Sequence, residues 1–133
     1  MRKLLLLLSI FLLIISCQNT DAQTKITGKT YIAEIGATCK DGIGMIYKYR
    51  ILKFDKNTVT ISYKVFASVA PERKKGYEGM YDYLTKTYQW KVEKDILLIE
   101  NCKEFSKMKI YKSKIIGYDN DWNQPIEFLE QTK

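Results

Sequence analysis

The chain has 133 residues, 46% hydrophobic and 13% aromatic, a composition that argues against a disordered polymer. It carries a formal charge of +7 and no histidine. That removes Ser-His-Asp and Cys-His nucleophile systems, His-ligated zinc and the commonest general base.

The chain opens on Arg2 and Lys3, followed by Leu4 to Ile15, which is apolar except for Ser9. As a helix this run spans about 18 Å, short of the ~30 Å hydrocarbon core of a bilayer. A positive start and a short apolar run predict a helical secretory signal over residues 1–16. Removing it leaves about 117 residues with a charge of about +5, enough for one small domain with a core.

Ile14-Ile15-Ser16-Cys17 resembles the bacterial lipobox: an aliphatic residue, a variable one, a small one, then cysteine. The resemblance implies diacylglycerol on the Cys17 sulfur, cleavage before Cys17 and acylation of the new N-terminus. Gln18 stands where an aspartate would imply inner-membrane retention, so the same resemblance implies the outer membrane. The competing cut, after Ala22, would remove Cys17. Two or more acyl chains hold a protein stably at a membrane, whereas one holds it marginally. Residues 17–27 then read as anchor and polar tether, and residues 28–133 as a single domain. With Cys17 acylated or removed, Cys39 and Cys102 are an even pair in an exported protein. A disulfide between them is expected, with two free thiols as the alternative. It would close a loop of about 63 residues, worth ~4 kcal/mol in the chain-entropy model.

Downstream the hydrophobic period is mostly two, the mark of half-buried strands. The first candidate is Thr30 to Ile35. Met45 to Phe54 follows, with a slip in alternation between Ile51 and Leu52 that predicts a bulge. Asp55-Lys56-Asn57 reads as a tight hairpin turn, with Asn57 at positive φ. Thr58 to Val65 alternates without fault. Ala70 to Gly79 reads as the longest loop. Met80 to Leu84 reads as the start of a long strand that continues through Thr87 to Glu93. A turn at Lys94-Asp95 leads to Ile96 to Ile99. A short helix or 3₁₀ turn is expected near Lys103 to Lys107, then strands at Met108 to Tyr111, Ile115 to Tyr118 and Ile126 to Leu129.

About eight sequential strands predict an all-β antiparallel up-and-down barrel, with a two-layer sandwich as the alternative. Three stretches, Gly28-Lys29-Thr30-Tyr31, "ILKFDKNTV" (Ile51 to Val59) and "YQWKVEKDILLI" (Tyr88 to Ile99), resemble the small lipocalin-like (calycin-type) domains of bacterial lipoproteins. Tyr31 stands one position beyond the tryptophan of that family's Gly-x-Trp opening.

Strand aromatics Tyr47, Tyr49, Tyr63, Tyr88 and Trp90 are the candidate ligand-binding residues, because aromatics offer flat area at low entropic cost. They also simply favour strands and fill barrels. Asp119, Asp121, Asn123 and Glu130 resemble part of a calcium loop, although Gln124 stands where its glycine belongs. A polar turn is the plainer account, and no metal or cofactor is expected. The lysines of Glu72-Arg73-Lys74-Lys75 and of Lys103, Lys107, Lys109, Lys112 and Lys114 suit anionic headgroups, a partner, or protection of exposed strand edges. Taken together these features predict a binding module lipid-anchored to the cell envelope, taking a small apolar or amphipathic ligand. The alternative is a protein–protein module such as an envelope inhibitor. Nucleic acid is not an expected partner, and an enzyme would need two converging carboxylates.

Overall fold

The structure, a computed structural model, describes residues 22–40 and 44–132. The expected signal, Cys17 and the lipobox lie outside the described residues. Eight strands form a closed barrel in sequence order. They are β1 (Thr30–Lys40), β2 (Gly44–Phe54), β3 (Thr58–Ser68), β4 (Lys86–Glu93), β5 (Ile96–Ile99), β6 (Phe105–Ile110), β7 (Lys114–Asp119) and β8 (Gln124–Glu130). Every neighbouring pair is antiparallel, and β1 closes on β8 through Tyr31 opposite Glu130 and Ile32 opposite Leu129. The up-and-down barrel expected from the period of two is therefore the observed fold, rather than a sandwich.

Alternation explains the core. In β2 the inward positions are Ile46, Arg50, Leu52 and Phe54; in β3 they are Val59, Ile61, Tyr63, Val65 and Ala67. The slip at Ile51 is not a bulge, because β2 and β3 pair without interruption from Met45 to Phe54. It arises because a charged residue, Arg50, occupies an inward position while apolar Ile51 faces outward. The bulges lie elsewhere, between Glu34 and Gly36 in β1 and between Ser106 and Lys109 in β6, where Lys107 takes φ 55°.

The lower barrel is filled. Phe54 is fully buried, with its ring edge-on to Tyr31 at 5.8 Å and to Trp90 at 4.9 Å. Phe128 packs edge-on to Phe105 at 5.5 Å. Ile26, on a helical turn over residues 22–26, joins the same core. That turn is stitched to the barrel by Gly28 N–H to the Phe54 carbonyl (2.8 Å) and Phe54 N–H to the Lys29 carbonyl (3.0 Å). The described fold thus includes residues 22–27, which pack on the barrel as a floor rather than trailing from it as a tether. Burying Ile26 removes apolar area from water at roughly 25 cal/mol per Å², which sets the turn in place.

Four further expectations are corrected. Residues Pro71–Glu78 form a helix, not a loop; Pro71 starts it with a φ suited to the first turn. Met80 to Leu84 forms turns ending in the 3₁₀ segment Asp82–Leu84, so β4 starts only at Lys86. Phe105 already opens β6, in place of a helical turn near Lys103 to Lys107. Asn57 is not at positive φ; at the β4–β5 turn Lys94 is, at 61°.

One irregularity positions the site. β3 has 11 residues, but only Thr58 to Ile61 pair with β4, opposite Gln89 to Lys86. Beyond Ile61 the two strands part. The helix and 3₁₀ segment bridge the gap, with Tyr77 and Tyr81 packed on Ile46, Val65 and Ala67. The barrel is closed at its lower end and split open at the end where β3 and β7 finish.

Candidate functional site: the cleft at the open end

Two charged clusters floor this split. Arg50 is fully buried. Its Nε donates to Asp119 Oδ2 (3.0 Å), and its Nη2 donates to Asp119 Oδ1 (3.2 Å) and Asp121 Oδ2 (2.8 Å). The guanidinium lies 3.7 Å from the Tyr63 ring centroid and 4.9 Å from that of Phe105. Such a desolvated cation over aromatic faces gains about 2 kcal/mol. Asp119, also fully buried, accepts the Asp121 and Trp122 amides at 3.0 and 3.1 Å, which fixes the β7–β8 turn. The Tyr63 hydroxyl donates to Asp121 Oδ2 at 3.1 Å.

The second cluster centres on Glu104, 7% exposed. Its carboxylate accepts from Lys86 Nζ (3.1 Å), the Tyr88 hydroxyl (3.0 Å) and Cys102 Sγ (3.3 Å). Between the clusters lies a cleft of about 330 Å³, lined by Tyr63, Leu84, Lys86, Tyr88, Asn101, Lys103, Glu104 and Asp121. A second hollow of about 280 Å³ shares Tyr63, Leu84 and Asp121 and reaches Tyr81 and Trp122. Both adjoin the gap between β3 and β4.

Burial pushes the Tyr63 phenol well above its ordinary range, and its bond to Asp121 adds to this. Burial first, then the bond to Glu104, pushes Tyr88 up to about 12. Both phenols are therefore held protonated as donors. Burial also raises the Cys102 thiol; the Glu104 and Phe105 backbone amides partly offset this, and the Glu104 carboxylate adds to the rise. A protonated thiol is a poor nucleophile. The cleft presents fixed donors and acceptors beside Leu84 and two tyrosine rings, a set suited to recognition.

Raised tyrosines carry a pH signature. Below pH 10 the folded and unfolded chains both keep the Tyr31 and Tyr88 protons. Above it the unfolded chain loses them, while the folded chain holds both to about 12. Stability is therefore expected to be unaffected by these groups below pH 10 and to fall as pH rises from there to about 12. Denaturant midpoints across that window, with phenolate absorbance followed in parallel, check this; tyrosines all titrating together near 10 would contradict it.

Of the aromatic candidates, Tyr63 and Tyr88 meet at this cleft. Trp90 lies deeper in the core, its indole N–H donating to the Asp55 carbonyl at 3.1 Å. Tyr47 and Tyr49 sit on the outer face, where Tyr49 packs edge-on to Phe66 at 5.3 Å. The calcium set is not brought together. Asp119 and Asp121 are engaged by Arg50, and Asn123 accepts from the Tyr118 hydroxyl at 2.7 Å. Glu130 pairs with Lys29 at 2.9 Å at the far end of β8. Strand rise separates it from Asn123 by roughly 23 Å.

The expected disulfide is absent: Cys39 and Cys102 are both free. Cys39 lies near the end of β1, exposed, on the β1–β2 hairpin. Cys102 lies in the β5–β6 connection and gives its thiol hydrogen to Glu104. Even count predicted a pair that the topology keeps apart. Thiol titration of the native protein is expected to label Cys39 rapidly and Cys102 slowly, with Cys102 catching up on unfolding. Two unreactive cysteines that appear only after reduction would contradict this.

Arg50, Glu104 and Lys86 were not singled out from sequence. The one available signal was Arg50, a charge at an inward position of an otherwise apolar alternation. Glu104 and Lys86 lie in unremarkable polar stretches and meet only through the fold. No protein-family model, curated protein or solved structure matches this chain.

Proposed function

We propose that the protein is a binding module, lipid-anchored to the cell envelope through Cys17, that takes a small amphipathic ligand in the cleft at the open end of its barrel. The carrying observation is the pairing of two fixed polar clusters around unfilled space, beside a lower barrel that is filled. A ligand then enters only part way. Its polar head meets Asp121, Glu104, Lys86 and Lys103, and its apolar part lies on Leu84 and the faces of Tyr63 and Tyr88. A cleft of about 330 Å³ falls at the small end of ligand sites. The signal, the lipobox resemblance and the lysine-rich surface support the envelope address.

Native mass spectrometry of the protein, incubated with the small-molecule fraction of an envelope extract, tests this. One adduct per chain is expected, and Leu84→Trp, which fills the cleft from the 3₁₀ segment, should abolish it. Equal adducts on both proteins would overturn the proposal.

A second reading, a protein partner, draws on the rim of the same end. Tyr83 is 78% exposed, and Met80 and Trp122 are also exposed. Such aromatics beside a groove suit an interface anchor. Retention of one specific envelope protein by the wild type, lost on Tyr83→Ala and unaffected by Leu84→Trp, favours that reading.

A further inference from the structure

The opposite end of the barrel holds a larger cleft, of about 540 Å³. Its apolar floor includes Ile26, Ile110 and Tyr111, and its rim includes Lys29, Lys94 and Lys112. Asp95, the acid in that lining, is paired with Lys109 at 3.1 Å. Lys29 is paired with Glu130, whereas Lys94 and Lys112 make no ion pair among the described residues. Lys94 and Lys112 tip two of the hairpin turns at this end, and Lys56 tips the third, between β2 and β3. The end is therefore basic around an apolar hollow.

The chain also enters here. Ala22 lines the cleft, five residues after Cys17. Five residues reach at most about 18 Å. An acylated Cys17 would thus hold this end, and not the ligand cleft, against the bilayer. Exposed lysines attract anionic lipid surfaces, each strengthening the attraction roughly five-fold when close.

We propose that this lower cleft seats an anionic phospholipid of the membrane in which the protein is anchored. The headgroup phosphate sits between Lys94 and Lys112, and an acyl chain lies on Ile26, Ile110 and Tyr111. The seat fixes the barrel upright, with the open end turned away from the lipid. It rests on the anchor reading for its orientation, but not for its chemistry.

The test uses the processed chain isolated from membranes in mild detergent, with phosphatidylglycerol or phosphatidylcholine added before native mass spectrometry. The wild type is expected to retain phosphatidylglycerol at least ten-fold over phosphatidylcholine. Lys94→Asn with Lys112→Gln should remove that preference; asparagine is chosen because Lys94 has φ 61°. Lys112→Arg, which keeps the charge, should retain it. Equal retention of the two lipids, or an undiminished preference in the doubly substituted chain, overturns the seat. The mass of the same chain shows separately whether Cys17 is acylated. An unmodified Cys17 sinks the anchor, and the lipid preference still decides the seat.

Discussion

Replacing Arg50 with methionine is expected to cost about 3–5 kcal/mol of folding stability, because it strands the buried Asp119 carboxylate without its partner. A domain of this size has only about 5–15 kcal/mol in total, so much of the protein's margin is lost. Asp119 has zero exposure, and its Arg50 partner occupies both carboxylate oxygens. Without the guanidinium, the charge keeps only the two turn amides. Pairing the substitution with Asp119→Asn removes the stranded charge, while the asparagine oxygen still accepts those amides. The doubly substituted chain is expected to recover at least half the loss. The loss in both chains is reduced by one gain: Arg50 Nη1 is buried without a hydrogen-bond partner among the described residues, and methionine deletes that donor. Denaturant midpoints for the two single and one combined substitution complete the cycle. An Arg50→Met loss below about 1 kcal/mol would mean that the pair is solvated and does not organise the cleft.

Phe54→Ala is expected to be of similar size, about 3–5 kcal/mol, for an unrelated reason. Phe54 links the Tyr31 and Trp90 rings at the centre of the lower barrel. Truncation leaves a cavity that strands cannot close, since their spacing is fixed by the ladder. The melting temperature should fall by at least about 12 °C, from roughly 4 °C per kcal/mol for a domain of this length. Phe66→Ala is the control: Phe66 is 49% exposed on the outer face and should cost much less. Equal costs at the two sites would contradict a filled lower barrel.

The strands were legible because their inward and outward residues alternate over long stretches, as in Thr58 to Val65. Where the sequence misled, the cause is tertiary. Ile26 reads as part of a polar tether until the floor of a barrel is there to receive it. Pro71–Glu78 has a highly polar composition and no buried residue, so no apolar stripe betrays a helix. Met80 to Leu84 carries strand-like aromatics, but Tyr81 packs across the gap that opens when β3 outruns β4 while Tyr83 stays exposed on its rim. The cleft at the open end was half legible. Tyr63 and Tyr88 stood out as strand aromatics, whereas Tyr47 and Tyr49 share their residue type and face the wrong way. The Arg50–Asp119 pair joins residues 69 apart in sequence, and no local pattern encodes that meeting. Cys39 and Cys102 show the converse: parity and the expected export signal suggest a bond, and the strand order decides against it.

The most direct measurement of the proposed ligand site is amide chemical-shift mapping of isotope-labelled protein titrated with the small-molecule fraction of an envelope extract. Shifts concentrated at Tyr63, Leu84, Tyr88, Asn101 and Asp121, saturating and lost on Leu84→Trp, are the predicted result. Shifts that are absent, or that persist in Leu84→Trp and fall on Tyr83 and the helix Pro71–Glu78 instead, would contradict a small-ligand site at the open end.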